Sequence, residues 1–178
     1  DFGNPGDVIH VLIKIVFLEL GALITAIVII GRSGSAIAVD IGNAKLRGEI
    51  EGLELLGIDI DRFFVIPRLL GAAIAQLTLS IYFSLIALLS GILMPALTKG
   101  TVYLGYLEEI PQAIAPADLL LFLGKNLFFG LIIGVAACFH GLKVSHSVTE
   151  VPQQTQRAIV ASLAMVFLSD GLIAIGVS

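Results

Sequence analysis

The chain has few charged residues, no tryptophan and a single cysteine. Charged residues make up 13% of its 178 residues, whereas they make up about a quarter of an average soluble domain. Hydrophobic residues make up 57%, and the mean hydropathy is +1.03. The lone Cys138 excludes a disulfide framework within the chain. The scarcity of charge excludes an ordinary water-soluble domain and predicts a protein whose surface faces lipid.

The sequence also lacks the motifs of an enzyme. It contains no G-x-x-x-x-G-K-[ST] phosphate-binding loop, because Gly31-Arg32-Ser33-Gly34 has neither the spacing nor the lysine. No serine, histidine and aspartate triad or cysteine–histidine pair forms a known motif. His146 and Glu150 stand four residues apart, but two ligands alone do not make a metal site. We therefore expect no catalytic residue, no metal and no cofactor bound by this chain itself.

Four apolar segments are long enough to cross a bilayer, which needs about 20 residues in a helix. They run from Val8 to Ile30, Phe64 to Met94, Asp118 to Gly141 and Ala158 to Val177. Each must be helical, since lipid offers no partner for free backbone groups. The sequence predicts an all-α polytopic membrane protein with four transmembrane helices, forming one domain over residues 1–178.

The largest concentration of charge lies in one insert, residues 31–63. Its basic side chains are Arg32, Lys45, Arg47 and Arg62, and its acidic ones are Asp40, Glu49, Glu51, Glu54, Asp59 and Asp61. The 142–157 loop adds Lys143 and Arg157, whereas the 95–117 loop carries a single lysine. Because cytoplasmic loops are enriched in Lys and Arg, we expect the 31–63 and 142–157 loops in the cytoplasm.

An amphipathic helix is predicted inside this insert, over residues 43–57. Asn43 is a plausible N-cap and Gly57 a plausible stop. Its candidate contact residues are Lys45, Arg47, Glu49, Glu51, Leu53 and Glu54. Periodicity alone leaves two interpretations open: a helix that rests on the membrane surface, or a docking helix for a cytoplasmic partner.

Four charged residues fall inside the apolar segments: Lys14, Glu19, Lys125 and Asp170. Such residues are functional candidates by default. Three interpretations stay open: pairing between helices, a polar patch that receives a lipid headgroup, and an ion or proton relay. Lys125 and Asp170 lie at matching depth on adjacent segments and are expected to pair. The spacing Gly130-x-x-x-Gly134 is typical of close helix packing, which we expect within the chain rather than at a dimer seam.

Several of these residues resemble the signature of the MlaE/YrbE family of permeases. The similarity lies in the run Gly31-Arg32-Ser33-Gly34-Ser35-Ala36-Ile37-Ala38-Val39-Asp40-Ile41-Gly42, in Glu51-Gly52-Leu53-Glu54-Leu55-Leu56-Gly57-Ile58-Asp59 and in Pro67-Arg68. Leu18-Glu19-Leu20-Gly21 is similar to the family's E-L-G element, and Lys125 and Asp170 fall where its last two spans carry such residues. The resemblance covers essentially the whole chain. The family usually has an elbow helix and a first span before this point, so we expect the chain to lack them.

The resemblance implies the permease subunit of an ATP-driven lipid transporter. The expected partners are a cytoplasmic ABC ATPase docked on the 43–57 helix, a second copy of the permease, an MCE-domain protein on the outer face and a phospholipid. ATP and magnesium would be bound by the ATPase. The location would be a bacterial inner membrane or a plastid envelope membrane. A cavity for the lipid would be lined by Lys14, Glu19, Leu12, Ile15, Ile74 and Leu77.

Two other functions stay open from the sequence. An ion-coupled secondary transporter would use Lys14, Glu19, Lys125 and Asp170 as a relay. A membrane scaffold would use the charged insert only to recruit a cytoplasmic protein. Neither alternative needs an ATPase, and a scaffold needs no lipid, so transport measurements separate the three functions.

Overall fold

The fold is a bundle of long helices. A computed structural model describes residues 15–99, 116–145 and 147–177. Four helical spans in it are long and apolar enough to cross a membrane: Gly21–Leu46, Asp61–Ser90, Pro116–Leu142 and Glu150–Gly176. We refer to them as the first to fourth spans. The described residues contain no strand, and the predicted all-α polytopic membrane fold is confirmed.

The first two spans contain consecutive helical segments, and the other two are single α-helices. The first comprises α-helices Gly21–Ile29 and Ser35–Leu46, with the π-helical turn Ile30–Gly34 between them and a second such segment, Ile15–Leu20, before them. The second span begins with the π-helical turn Asp61–Val65 and continues as α-helix Ile66–Lys99. The third is α-helix Pro116–Leu142, and the fourth lies within α-helix Glu150–Val177.

Two predicted span boundaries are wrong. The first span does not end at Ile30 but continues to Leu46, so about half of the predicted 31–63 loop belongs to this span. It continues because one face of this extension is buried in the bundle, with Ala38 and Ile41 at 1% and 0% exposure. The fourth span begins at Glu150 rather than Ala158. The charged residues in these segments suggested loops, but packing against the other helices keeps both segments helical.

The helix predicted over residues 43–57 is shorter than expected and occupies Glu49–Leu55. The predicted N-cap Asn43 is wrong, because Asn43 lies inside the helix that ends at Leu46. The chain turns at Gly48, whose φ of 71° falls in the left-handed region that glycine adopts most readily. The predicted stop at Gly57 is confirmed: its φ of 76° ends the element in the same way.

Apolar clusters of buried residues hold the bundle together, and the two largest lie at different heights along the spans. The cluster in the middle of the spans comprises Ala22, Ala26, Ile29, Ile30, Phe129, Ile133 and Val166. The second cluster lies at the end of the bundle that carries the charged residues 45–62, which we call the charged end. It comprises Ile41, Ala44, Ile50, Phe64 and Cys138. Ile50 belongs to the helix Glu49–Leu55, and its 5% exposure within this cluster shows that the helix packs on the spans. The charged end therefore packs directly on the membrane bundle.

The predicted glycine packing within the chain is confirmed at Gly130 and Gly134. A Cβ atom added at Gly130 would lie 2.4 Å from Cα of Ala73, and one at Gly134 would lie 3.1 Å from Cα of Leu69. Both glycines therefore let the third span approach the backbone of the second.

Replacing Gly130 by alanine is expected to lower the free energy of unfolding by about 1–3 kcal/mol, the usual cost of overpacking. The backbone at Ala73 cannot move aside as a flexible side chain would. Gly124→Ala is the matched control, because a Cβ atom at Gly124, on the same helix, meets nothing within 4 Å. Thermal unfolding in detergent measures both variants. Equal midpoints for the two would contradict this packing.

Candidate functional site

Three charged side chains from three helical segments meet inside the bundle. Nζ of Lys125, on the third span, lies 2.7 Å from Oε2 of Glu19 and 2.6 Å from Oδ1 of Asp170. Glu19 comes from the π-helical segment before the first span, and Asp170 from the fourth span. We call these three residues the charge triad. The structure thus brings Lys125 and Asp170 together, as their matching depth predicts.

Burial differs sharply across the charge triad. The side chain of Lys125 is 4% exposed, that of Asp170 13% and that of Glu19 38%. The ammonium is therefore enclosed by its two carboxylates, and it also lies 5.8 Å from the ring centroid of Phe129. The triad sums to one negative charge, and Glu19 is its most accessible group. Within the described residues, this site presents a carboxylate to the outside rather than an ammonium.

The sequence predicted a different neighbour for Glu19. Lys14 was expected to form one polar patch with it, but Lys14 and Leu12 lie outside the described residues. The other proposed cavity residues are Ile15 and Ile74, exposed at 44% and 60%, and the half-buried Leu77. The lipid cavity itself stays a prediction.

A second polar group lies in the bundle and was missed from the sequence. Nε2 of Gln76 lies 3.1 Å from the carbonyl oxygen of Ala22, 3.0 Å from Oγ1 of Thr25 and 3.1 Å from Oδ1 of Asn126. Gln76 and Asn126 are fully buried. This network joins the first three spans through hydrogen bonds. Gln76 and Asn126 could have been found as amides inside apolar segments, which need partners there.

An acidic cleft of about 650 Å³ opens at the charged end of the bundle. It is lined by Lys45, Ile50, Glu51, Glu54, Gly57, Ile58, Asp59, Ile60, Asp61 and Leu142. Nζ of Lys45 donates a hydrogen bond to the carbonyl oxygen of Leu142 at 2.5 Å. This bond ties the end of the first span to the end of the third. The cleft has four carboxylates, of which Asp59 pairs with Arg62 at 3.6 Å, against one tethered ammonium, so its lining is negatively charged.

The other predicted docking residues divide between surface and interior. Arg47 Nε donates to Oε1 of Glu49 at 2.7 Å, and this hydrogen bond and the glutamate charge raise the pKa of Arg47. Leu53 is half-buried and packs on the apolar cluster at the charged end. Leu55 and Leu56 were not among the predicted docking residues, yet they are 89% and 76% exposed. Two adjacent leucines before a glycine, in an otherwise charged segment, are the signal that could have found them.

Comparison with known protein families identifies the architecture. Residues 1–175 match the family described as Permease MlaE. The chain belongs to the MlaE permease family.

Individual MlaE relatives come from bacteria and from a plant. The chain is 30% identical over 159 residues to the Intermembrane phospholipid transport system permease protein MlaE of Haemophilus influenzae, which covers 88% of the chain and 61% of that protein. It is 28% identical over 152 residues to Protein TRIGALACTOSYLDIACYLGLYCEROL 1, chloroplastic, of Arabidopsis thaliana, covering 85% and 43%. A probable ABC transporter permease of Rickettsia prowazekii is 26% identical over 172 residues, covering 97% and 66%. The chain thus spans between 43% and 66% of these relatives' lengths.

Asp40 and Arg68, which lie in two of the segments that resemble the MlaE signature, contact each other. The Arg68 guanidinium forms an ion pair with the Asp40 carboxylate. Its Nη1 also donates to the carbonyl oxygen of Phe64 at 3.1 Å, and the guanidinium lies 4.6 Å from the Phe64 ring centroid. These contacts join the extension of the first span to the start of the second. The same two segments contribute Lys45 and Asp61 to the acidic cleft.

Proposed function

We propose that this chain is the main part of a permease subunit that moves phospholipid in an ATP-driven transporter. The observation that carries the proposal is the family match over residues 1–175, because a relative 30% identical to the chain is named as a phospholipid transport permease. The geometry supports it with two charged sites, one inside the bundle and one at its charged end. The subunit itself would be non-catalytic.

The acidic cleft is the proposed docking site for the ATPase. The cytoplasmic helix Glu49–Leu55 packs on the spans through Ile50, so a movement of the bound ATPase would displace the spans as well. The exposed Leu55 and Leu56 would fill an apolar pocket of the partner, while Glu51 and Glu54 would meet basic side chains. ATP and magnesium would be bound by that partner.

The charge triad is the proposed polar element on the lipid path. Glu19, its most accessible member, would contact the headgroup, while lipid acyl chains stay against apolar surfaces such as Ile15 and Ile74. Two copies of the permease and an MCE-domain protein on the outer face would complete the transporter.

Reconstitution of the full-length permease with its ATPase and MCE-domain partners tests this proposal. We expect ATP-dependent transfer of fluorescent phospholipid between liposomes and the MCE-domain protein. Glu19→Leu should slow transfer about ten-fold, the effect of losing one hydrogen bond to a charged group. Glu19→Asp keeps the charge and is the matched control, with transfer close to that of the unmodified protein. An unchanged rate in Glu19→Leu would remove Glu19 from the lipid path.

A further inference from the structure

A groove of about 590 Å³ lies between the third and fourth spans, near the ends that carry the 143–149 loop. Its polar lining comes from His140, Gln153, Gln156 and Arg157. Val160, Ala161 and Ala164 continue it along the fourth span toward the middle of the bundle. The groove is therefore polar at its loop end and apolar along its length, as a site for one end of an amphiphile would be.

The polar end of the groove has a positive character. Arg157 is exposed and forms no ion pair within the part of the chain that the structure describes. Lys143 directly follows the third span, and its Nζ lies 4.2 Å from the ring centroid of Phe139, the residue before His140 of the groove. The nearby Glu150 accepts a hydrogen bond from the backbone N–H of Ser145 at 2.9 Å and does not line the groove. A negatively charged ligand would meet one unpaired guanidinium there.

Side-chain positions also suit a ligand that enters from the bilayer. Nδ1 of His140 lies 3.2 Å from Oε1 of Gln154, which fixes the ring at the groove edge. Phe139 and Val160 are 54% and 66% exposed, so apolar surface lies open beside the basic end. Basic residues at the cytoplasmic ends of spans attract anionic headgroups, while open apolar surface favours acyl chains.

We propose that this groove binds an anionic phospholipid of the cytoplasmic leaflet, with its phosphate at Arg157 and an acyl chain along Val160, Ala161 and Ala164. The site is separate from the charge triad: His140 and Lys125 are fifteen residues apart on one helix, about 22 Å at 1.5 Å per residue. The proposal goes beyond lipid transport, since it requires that the groove opens on a membrane leaflet with anionic lipid and does not require transport.

A tryptophan placed in the groove reports on its occupant. The chain contains no tryptophan. Val160→Trp in the full-length permease therefore adds tryptophan fluorescence, which is measured as the difference from the unmodified full-length protein. The protein is placed in phosphatidylcholine vesicles that contain a small fraction of brominated phosphatidylglycerol or brominated phosphatidylcholine. Bromine quenches tryptophan only at contact. We expect phosphatidylglycerol to quench at about five-fold lower mole fraction, the preference given by one basic side chain near the membrane surface.

Variants of the same reporter protein test the role of Arg157. Arg157→Gln should remove the preference for phosphatidylglycerol, and Arg157→Lys should retain it. Arg62→Gln is the matched control, because Arg62 is an 83% exposed basic side chain outside the groove, and it should leave the preference unchanged. Equal quenching by the two lipids would show ordinary lipid contact and overturn the proposal. Absence of quenching by either lipid would show that protein, such as a second copy, covers this face, and would also overturn it.

Discussion

Replacing Lys125 by methionine is expected to lower the free energy of unfolding by about 3–5 kcal/mol. The substitution keeps the volume of the side chain but removes the ammonium that lies 2.7 Å from Glu19 and 2.6 Å from Asp170. Two carboxylates would then repel each other at a site where Asp170 is 13% exposed. The thermal unfolding midpoint of the full-length permease in nanodiscs measures the loss.

The charge-neutral triple variant provides the control for this prediction. Lys125→Met combined with Glu19→Gln and Asp170→Asn removes every charge of the triad, so it should be closer to the unmodified protein than Lys125→Met alone. Removing a whole buried ion network usually costs less than removing one partner. A triple variant less stable than the single one would contradict the charge-pairing account.

Reversing two charges of the acidic cleft is expected to uncouple ATP hydrolysis from transport. Glu51→Lys with Glu54→Lys places ammonium groups where the proposed ATPase would present basic side chains. Like charges across an interface cost several kcal/mol, so binding of the ATPase should fall by at least about a hundred-fold. Co-purification and ATP hydrolysis by the assembled complex measure the effect.

Neutral variants of the same residues separate charge repulsion from misfolding. Both glutamates are exposed, so Glu51→Gln with Glu54→Gln should keep the fold and weaken binding less than the lysine pair. The lysine pair itself should insert into membranes and unfold at the unmodified midpoint. Normal ATPase binding and activity in the lysine pair would exclude the cleft as the docking site.

The number of spans was predictable because each span is a long run of apolar residues, which can be recognised without knowing its tertiary contacts. Lipid allows only a helix over such a run. The Gly57 stop was predictable for a similar reason, since one residue without Cβ adopts the left-handed turn. The helix limit at Leu46 was not, because Asp40 and Lys45 look like loop residues until their partners on other elements, Arg68 and the Leu142 carbonyl, are known.

The charge triad was predictable only in part. Depth along the spans placed Lys125 beside Asp170, since adjacent antiparallel helices match depth directly. The contact of Glu19 with Lys125 joins residues 106 positions apart in sequence, and helix rotation decides it. Rotation is set by buried contacts such as those of Gln76, which a single sequence does not reveal.

Lipid transfer and ion flux measured in the same proteoliposomes test the central proposal most directly. The full-length permease is reconstituted with its ATPase and MCE-domain partners, and fluorescent phospholipid transfer is recorded beside a dye that reports ion flux. We expect lipid transfer that requires ATP and stops when the ATPase is omitted, with no ion flux above that of protein-free liposomes. Ion flux that continues without ATPase and without lipid transfer would contradict the proposal and favour an ion-coupled transporter.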